Sequence, residues 1–337
     1  MLTLPGQPKS PNPHLYKSTT TALIATLTLN PALDKSTLTE RLVPEQKLRC
    51  EALQMDAGGG GINVSKGIAK LGGQSTAVFP AGGYNGRLLR ELLEQAGVPT
   101  QSLEVSGDTR ENLSVTETAT NIQYRFTLPG LQITEQQADA CLDIVRSLRP
   151  QYLVASGSLP PGLPETYYEK VAAFAKTIGA RFVLDTSGAA LQVAADEGVY
   201  LLKPNLGELS ALVGAEHLEI DQVDDAALSI IHQGKCEVVV VSLGPQGALL
   251  VTRDGFEHIP APMVKKQTTV GAGDSMVAGM VWALSTGKNV REMAQWGVAC
   301  GSAATMNRGT QLFDPADARR LAEWRRDYGE RYRITDF

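Results

Sequence analysis

Thr269-Val-Gly-Ala-Gly-Asp274-Ser-Met-Val-Ala-Gly279 sets two glycines and an aspartate just ahead of an apolar stretch. Val277, Met280, Val281 and Leu284 recur at helical spacing and Gly287 stops the run, so the segment reads as a loop feeding a helix. Gly271 and Gly273 let the backbone turn tightly and aim its N–H groups at one point. At a helix N-terminus such a point attracts phosphate, through unsatisfied donors and the helix dipole. Asp274 puts a carboxylate beside that anion, which helps only if it takes a proton from a nucleophile attacking the phosphate. The plainer alternative is an Asp N-cap, and on this stretch alone it is the better one.

Outward from this stretch the chain alternates strand and helix. Ala22 to Leu29 reads as a buried strand ending in the turn Asn30-Pro-Ala-Leu-Asp34, which leaves Asp34 at a carboxyl edge, where open α/β sheets bind ligands. A carboxylate there can hold sugar hydroxyls, or simply form an Asx turn. Asp56-Ala-Gly58-Gly59-Gly60-Gly61-Ile-Asn63 precedes a helix over Val64 to Leu71. Four glycines in a row suggest a backbone that a ligand approaches closely rather than a packing role. The rival dinucleotide fingerprint lacks its third glycine and its acidic ribose partner. Further strands are expected at Ala77–Pro80, Tyr152–Ala155, Phe182–Leu184 (ending in Asp185), Tyr200–Leu202 and Val238–Val241. Helices are expected at 86–96, 165–178 and from a Thr134/Gln137 capping box to Leu148. This spacing argues a doubly wound, mostly parallel sheet.

Three segments break the pattern. Gln46–Gln54, Asn112–Thr118 and Gln123–Leu128 alternate apolar and polar residues, the texture of half-exposed antiparallel strands. They predict a small separate sheet, which must cover a site, pair with another subunit, or both.

The bulk numbers narrow the field. The chain has 337 residues, 43% hydrophobic and 20% charged, with net charge −5, so no basic field invites nucleic acid. No apolar run reaches membrane-span length. Cys50, Cys141, Cys236 and Cys300 are scattered without metal spacing, consistent with reduced thiols in the cytoplasm. Residues 1–21 read as a flexible arm.

Taken together, Gly58–Asn63, Lys203-Pro-Asn205-Leu-Gly-Glu208, Ser242-Leu-Gly244-Pro-Gln-Gly247 and Thr269–Gly279 resemble the PfkB-type, ribokinase-like sugar kinases. Pro44–Cys50, Phe79–Gly83, Thr109–Leu113, Tyr124-Arg125-Phe126 and Gly301–Thr310 are similar to the 6-phosphofructokinase branch, with 1-phosphofructokinases and tagatose-6-phosphate kinases next. The resemblance implies an α/β ribokinase-like domain over 22–35, 55–108 and 129–330. A β-sheet lid over 36–54 and 109–128 would join two subunits, and residues 331–337 form a tail. It also implies ATP-dependent phosphorylation of the 1-hydroxyl of fructose 6-phosphate. Asp274 would be the base, and Gly271, Ala272 and Gly273 an anion hole. Asp34, Lys47, Arg49, Gly59, Gly60, Gly61, Asn63, Arg110 and Ser158 match sugar-phosphate positions, Arg49 reaching across the dimer. Lys203, Asn205, Ser242, Gly244, Gly247, Val298 and Ser302 match nucleotide positions. Asn205 and Glu208 would organise magnesium. Thr268, Val270, Ala304, Asn307, Gly309 and Gln311 would hold potassium. A sugar-phosphate sensor that kept the fold is the reading from another class, and a retained Asp274 argues against it. A dehydrogenase ranks lower still, for lack of the dinucleotide fingerprint.

Overall fold

The computed structural model describes residues 23–307 and 311–331; the arm at 1–21, Gly309 and the tail beyond 331 lie outside the described residues. The strands are β1 (Ile24–Leu27), β2 (Ala32–Thr39), β3 (Gln54–Gly58), β4 (Thr76–Ala81), β5 (Thr100–Glu104), β6 (Arg110–Glu117), β7 (Ile122–Thr127), β8 (Tyr152–Ser156), β9 (Arg181–Asp185), β10 (Val199–Leu202), β11 (Cys236–Ser242), β12 (Ala248–Thr252) and β13 (Gly255–Ile259). The helices are α1 (Gly60–Lys70), α2 (Gly83–Gln95), α3 (Glu135–Leu148), α4 (Tyr167–Thr177), α5 (Gly188–Glu197), α6 (Leu206–Leu212), α7 (Val223–His232), α8 (Ala272–Ser285), α9 (Val290–Thr305) and α10 (Pro315–Arg331).

Nine strands form the large sheet in the order β13-β12-β11-β10-β9-β8-β1-β4-β5. From β11 through β5 every pairing is parallel; β12 and β13 add an antiparallel edge. The pleat sorts the strand residues between two layers. Ala25, Leu27, Leu153, Ala155, Phe182, Leu184, Val239 and Val241 pack on one face with α3, α4, α5 and α7. Ile24, Val154, Val183, Leu201, Val238 and Val240 pack on the other with α1, α8 and α9. Both faces are covered, so the strands read as continuous apolar runs, as parallel sheets do.

The second layer carries the site. Helix α8 is buried nearly all round, not along one stripe as the spacing suggested, because α1, α9 and the sheet enclose it. Small residues allow the approach: a Cβ on Gly67 would sit 2.5 Å from Ala278 Cβ, and one on Gly279 2.6 Å from Trp296 O. This packing sets the N-termini of α1 and α8 side by side. The Thr134/Gln137 capping box at the start of α3 is present as expected.

The small sheet has four strands, in the order β3-β2-β6-β7, where the alternation predicted three. Asp34 is not in a turn: it is the third residue of β2, whose first residue, Ala32, already pairs within the small sheet. The strand expected at 46–54 starts only at Gln54. Residues 46–53 are irregular and mostly exposed, with one isolated bridge between Thr39 and Cys50 and Glu45 at φ 58° just before. Alternation alone made no strand there: beside the bridge, contact with β2 runs from Glu51 N–H to Leu38 O and from the Thr37 and Thr39 hydroxyls to the Glu51 and Arg49 carbonyls, side-chain bonds that stand in place of a regular ladder.

Register fixes which face of the small sheet is which. Asp34 lies beside Asp56 and Asn112, and Ser36 beside Gln54 and Ser114, giving one polar face. The opposite face carries Met55, Leu113, Tyr124 and Phe126, all exposed, with Ile122 and Leu128 near by. The polar face looks into the cleft: Leu38, Thr116, Gln123 and Arg125 wall a hollow of about 290 Å³ with Lys266–Thr269. Among the described residues no helix is long and apolar enough to cross a membrane.

Candidate active site

Asp274 does not cap α8. It is the helix's third residue; Gly271 holds the N-cap position at φ 72°, a left-handed conformation that glycine adopts without strain. No side chain caps this terminus, so first-turn N–H groups and the positive dipole end face the cleft. Helix α1 starts the same way, from Gly59 at φ 113° with no side-chain cap.

Asn63 Nδ2 donates to Asp274 Oδ2 at 2.9 Å, so the two helix starts meet through this bond. Ser156 Oγ, at the carboxyl end of β8, lies 3.4 Å from Asp274 Oδ1 and 3.3 Å from Asp185 Oδ2. Asp185 ends β9 and pairs with Lys203 Nζ at 3.1 Å. Burial, with the neighbouring Asp185 charge adding to it, pushes Asp274 up to about 7; the Asn63 bond, Lys203 and the Ser156 bond pull it back by less. A carboxylate poised near neutrality is suited to accept a proton in the transition state. Lys203 is 7% exposed; burial lowers its pKa, but Asp185, with Glu208 and Asp274 beyond, outweighs that and leaves it raised.

The glycine run has the packing role that the sequence argument denied it. A Cβ on Gly58 would lie 2.0 Å from Asp34 Oδ2, on Gly60 2.2 Å from Ser156 Oγ, and on Gly61 2.6 Å from Thr28 Oγ1. Strand ends and lid therefore press against this backbone before any ligand arrives. Gly59, Gly60, Gly61 and Asn63 do open α1 beside Asp274.

Asp34 accepts from Asn112 Nδ2 at 2.8 Å, and burial raises its pKa against the pull of Asn112, Lys66 and Arg110. Arg110 donates to the carbonyls of Asn30 (3.0 Å) and Leu128 (3.2 Å). Asn30 Nδ2 reaches Ser158 Oγ at 3.1 Å. Thr28 Oγ1, Asn30 Oδ1, Arg110 Nε and Asn112 Oδ1 are buried with no partner. Each such group costs about 1–3 kcal/mol, so their clustering marks a place where water or a polar ligand completes the bonding. Lys47 and Arg49 are not gathered in: both are exposed on the irregular segment.

Asn205 and Glu208 form a reciprocal capping box on α6, Asn205 N to Glu208 Oε2 and Glu208 N to Asn205 Oδ1, each 2.9 Å. Glu208 is thus a cap, not the exposed helix face that plain reading would make it, and burial raises its pKa. The described residues hold no group of three His, Cys, Asp or Glu side chains that could cage a metal. One half-buried carboxylate beside Lys203 fits magnesium only as that ion is held with substrate phosphates and water. Ser242 bridges to Asn205 and its N–H donates to Pro204 O; Gly244 and Gly247 shape the turn into β12. Val298 is buried in the core with Met276 and Met280, and Ser302 is half-buried one turn on.

Thr268 docks against the C-terminal end of α9, where Gln267 N and Thr268 N both reach Thr305 O, and Val270 N–H donates back to Thr268 Oγ1. Ala304 and Asn307 lie on that same end, and Asn307 Nδ2 donates to Leu312 O; Gln311 is exposed near by. The set offers oxygen donors only, which fits a hard cation.

Asp185, Ser156, Asn112, Asn30 and Lys66 were given no role by sequence reasoning. Asp185 and Ser156 had a usable signal: both end predicted parallel strands, the edge where such sheets bind. Asn112 and Lys66 had none, since their importance comes from register and from helix packing.

The pfkB family carbohydrate kinase profile matches residues 28–317. The chain is 45% identical over 300 residues to the ATP-dependent 6-phosphofructokinase isozyme 2 of Escherichia coli, covering 88% of this chain and 97% of that one. It is 37% identical to the 1-phosphofructokinase of Xanthomonas campestris, covering 88% and 92%. The crystal structure of E. coli phosphofructokinase-2 in complex with potassium superposes with a TM-score of 0.86 at 44% identity, covering 90% of this chain and 99% of that one. The same E. coli protein has been solved with substrates and products, and in a tetrameric inhibited form. An uncapped helix mouth beside a carboxylate poised near neutrality therefore sits within the stretch matched by kinase relatives, and the chain belongs to the pfkB family of carbohydrate kinases.

Proposed function

We propose that this protein is an ATP-dependent 6-phosphofructokinase, transferring the γ-phosphoryl of ATP to the 1-hydroxyl of fructose 6-phosphate to give fructose 1,6-bisphosphate. The observation that carries the reading is Asp274, held by Asn63 and Ser156 at the open N-terminus of α8 with its pKa raised to about 7. A binding protein has no use for such a base.

Asp274 takes the proton of the 1-hydroxyl as its oxygen attacks phosphorus, and keeps it until product leaves. The amides of Gly271, Ala272 and Gly273 face the charge spread over the transferred phosphoryl, in the preorganised manner that supplies most of the rate in such reactions. Asp34 and the start of α1 hold the sugar hydroxyls, while Arg110 and Ser158 orient the phosphorylated end. Lys203, Asn205, Ser242, Gly244 and Gly247 line the nucleotide's path, with Val298 and Ser302 beside the base. Magnesium, organised by Asn205 and Glu208, would neutralise the phosphates, and potassium would be held by the oxygens of the 268–270 and 304–311 segments.

The lid's apolar face, with Phe126 and Ile122 about half exposed, supports a homodimer joined lid to lid, in which Arg49 of one subunit reaches the other's phosphosugar. The relative's tetrameric form makes dimer versus higher assembly a measurement for sedimentation. Small-molecule substrates and the free cysteines support a cytoplasmic location on this reading. The 37% identity to a 1-phosphofructokinase favours fructose 1-phosphate as the second candidate acceptor. Coupled assays with fructose 6-phosphate, tagatose 6-phosphate and fructose 1-phosphate decide. Preference for fructose 6-phosphate is expected, and ATP turnover with none of the three would refute the kinase reading.

A further inference from the structure

Lys66 lies in the middle of α1 and takes no part in the chemistry above. Its side chain runs back toward the helix start, and Nζ donates to Ala57 O at 2.8 Å. Asp56 Oδ1 is 3.8 Å away, and the lysine side chain is only 12% exposed. Both acceptors belong to β3, a lid strand, whereas Lys66 belongs to the main domain.

Register shows why a cation is needed there. Asp34 and Asp56 are directly opposite across β2 and β3, so their side chains lie on one face. Like charges in that arrangement repel, and partial burial strengthens the effect. The other charged groups around the pair are Arg110 from β6, Lys70 from α1 and Asp274 from α8. Arg110 is turned toward the Asn30 and Leu128 carbonyls, and Asp274 adds more negative charge. Lys66 bonds into this row through Ala57 O and lies within ion-pair distance of Asp56.

We propose that Lys66 is a positioning residue for the sugar: its ammonium is the counter-ion that lets Asp34 and Asp56 lie side by side, so that Asp34 stays ready to accept substrate hydroxyls. By bonding to Ala57 O it also ties the lid strand to the helix that carries Asn63. The inference rests on the sugar-phosphate reading of the Asp34 pocket.

Calorimetric titration with fructose 6-phosphate and, separately, with ATP tests it on the full-length protein. Lys66→Met is expected to weaken fructose 6-phosphate at least tenfold and leave ATP within twofold, while Lys66→Arg stays within threefold of wild type. Adding Asp56→Asn to Lys66→Met removes the repulsion and is expected to restore most of the lost affinity, which a merely structural lysine would not allow. Unchanged sugar-phosphate affinity in Lys66→Met, equal loss toward ATP, or no recovery in the double variant overturns the assignment. Should Lys66→Met not fold, the neutral double variant carries the test: near-wild-type affinity supports the proposal and lack of binding overturns it. Wild-type protein that binds no fructose 6-phosphate would overturn the functional reading along with it, an outcome distinct from the others.

Discussion

Replacing Asp274 by Asn should make the protein inactive and, at alkaline pH, more stable. The carboxyl is raised from 3.8 to about 7, by burial first and then by Asp185. For an acid raised in this way the folded state carries no penalty below the unfolded pKa, an increasing one between about 4 and 7, and the full one above. That corresponds to roughly 4 kcal/mol at pH 8 and under about 2 kcal/mol at pH 5. The figure is a ceiling, since Asp274 keeps some contact with solvent. Asparagine has nearly the same shape, retains an oxygen for Asn63 Nδ2 and carries no charge toward Asp185. For a chain of this size the gain would reach at most about 6 °C in Tm at pH 8. Scanning calorimetry at pH 5 and pH 8, beside a coupled kinase assay, measures both effects. Lower stability in the variant at pH 8, an equal change at the two pH values, or retained turnover would refute the reasoning.

Other consequences are as direct. Because Asp274 must be ionised to act, kcat/KM should fall as pH drops through about 7, to roughly a tenth of its plateau at pH 6; a flat profile from pH 5.5 to 8 would mean another base. Lys203→Met leaves Asp185 without its 3.1 Å partner and should cost about 3–5 kcal/mol in urea unfolding, whereas a loss below about 1 kcal/mol would show that the pair is dispensable. Gly60→Ala puts a methyl 2.2 Å from Ser156 Oγ and 2.8 Å from Gly157 N, so it should cost about 1–3 kcal/mol and, by moving Ser156, lower kcat; near-wild-type kinetics would show that the backbone gives way. Phe126→Asp should yield monomers by sedimentation at micromolar concentration, and an unchanged assembly would move the interface off the lid.

Much of the molecule was decided locally, and those parts were legible in the chain. The parallel strands at Tyr152–Ser156, Arg181–Asp185 and Cys236–Ser242 are unbroken apolar runs because both their faces are buried. The Thr134 capping box, the glycine-led start of α8 and Asp274's place at that helix mouth depend only on neighbours in sequence, whereas α1, expected from Val64, begins at Gly60 inside the glycine run.

Tertiary structure alone decided what surrounds that residue. No single stretch of sequence announces that Asp185, Ser156 and Asn63, from three separate elements, converge on one buried carboxylate and adjust the pKa that burial raises. The glycine run looked like open space for a ligand, yet Asp34, Thr28 and Ser156 already press on it; close approach is a property of pairs of segments. Alternation over 46–54 resembled a strand but yields one bridge, because the Thr37 and Thr39 hydroxyls of β2 take the Glu51 and Arg49 carbonyls in place of ladder bonds. The side-by-side aspartates at 34 and 56, with Lys66 beneath them, follow from a register that no single segment contains. Local chemistry determined most of the elements; long-range packing and desolvation determined several of their ends, which side chains meet and what charge they carry.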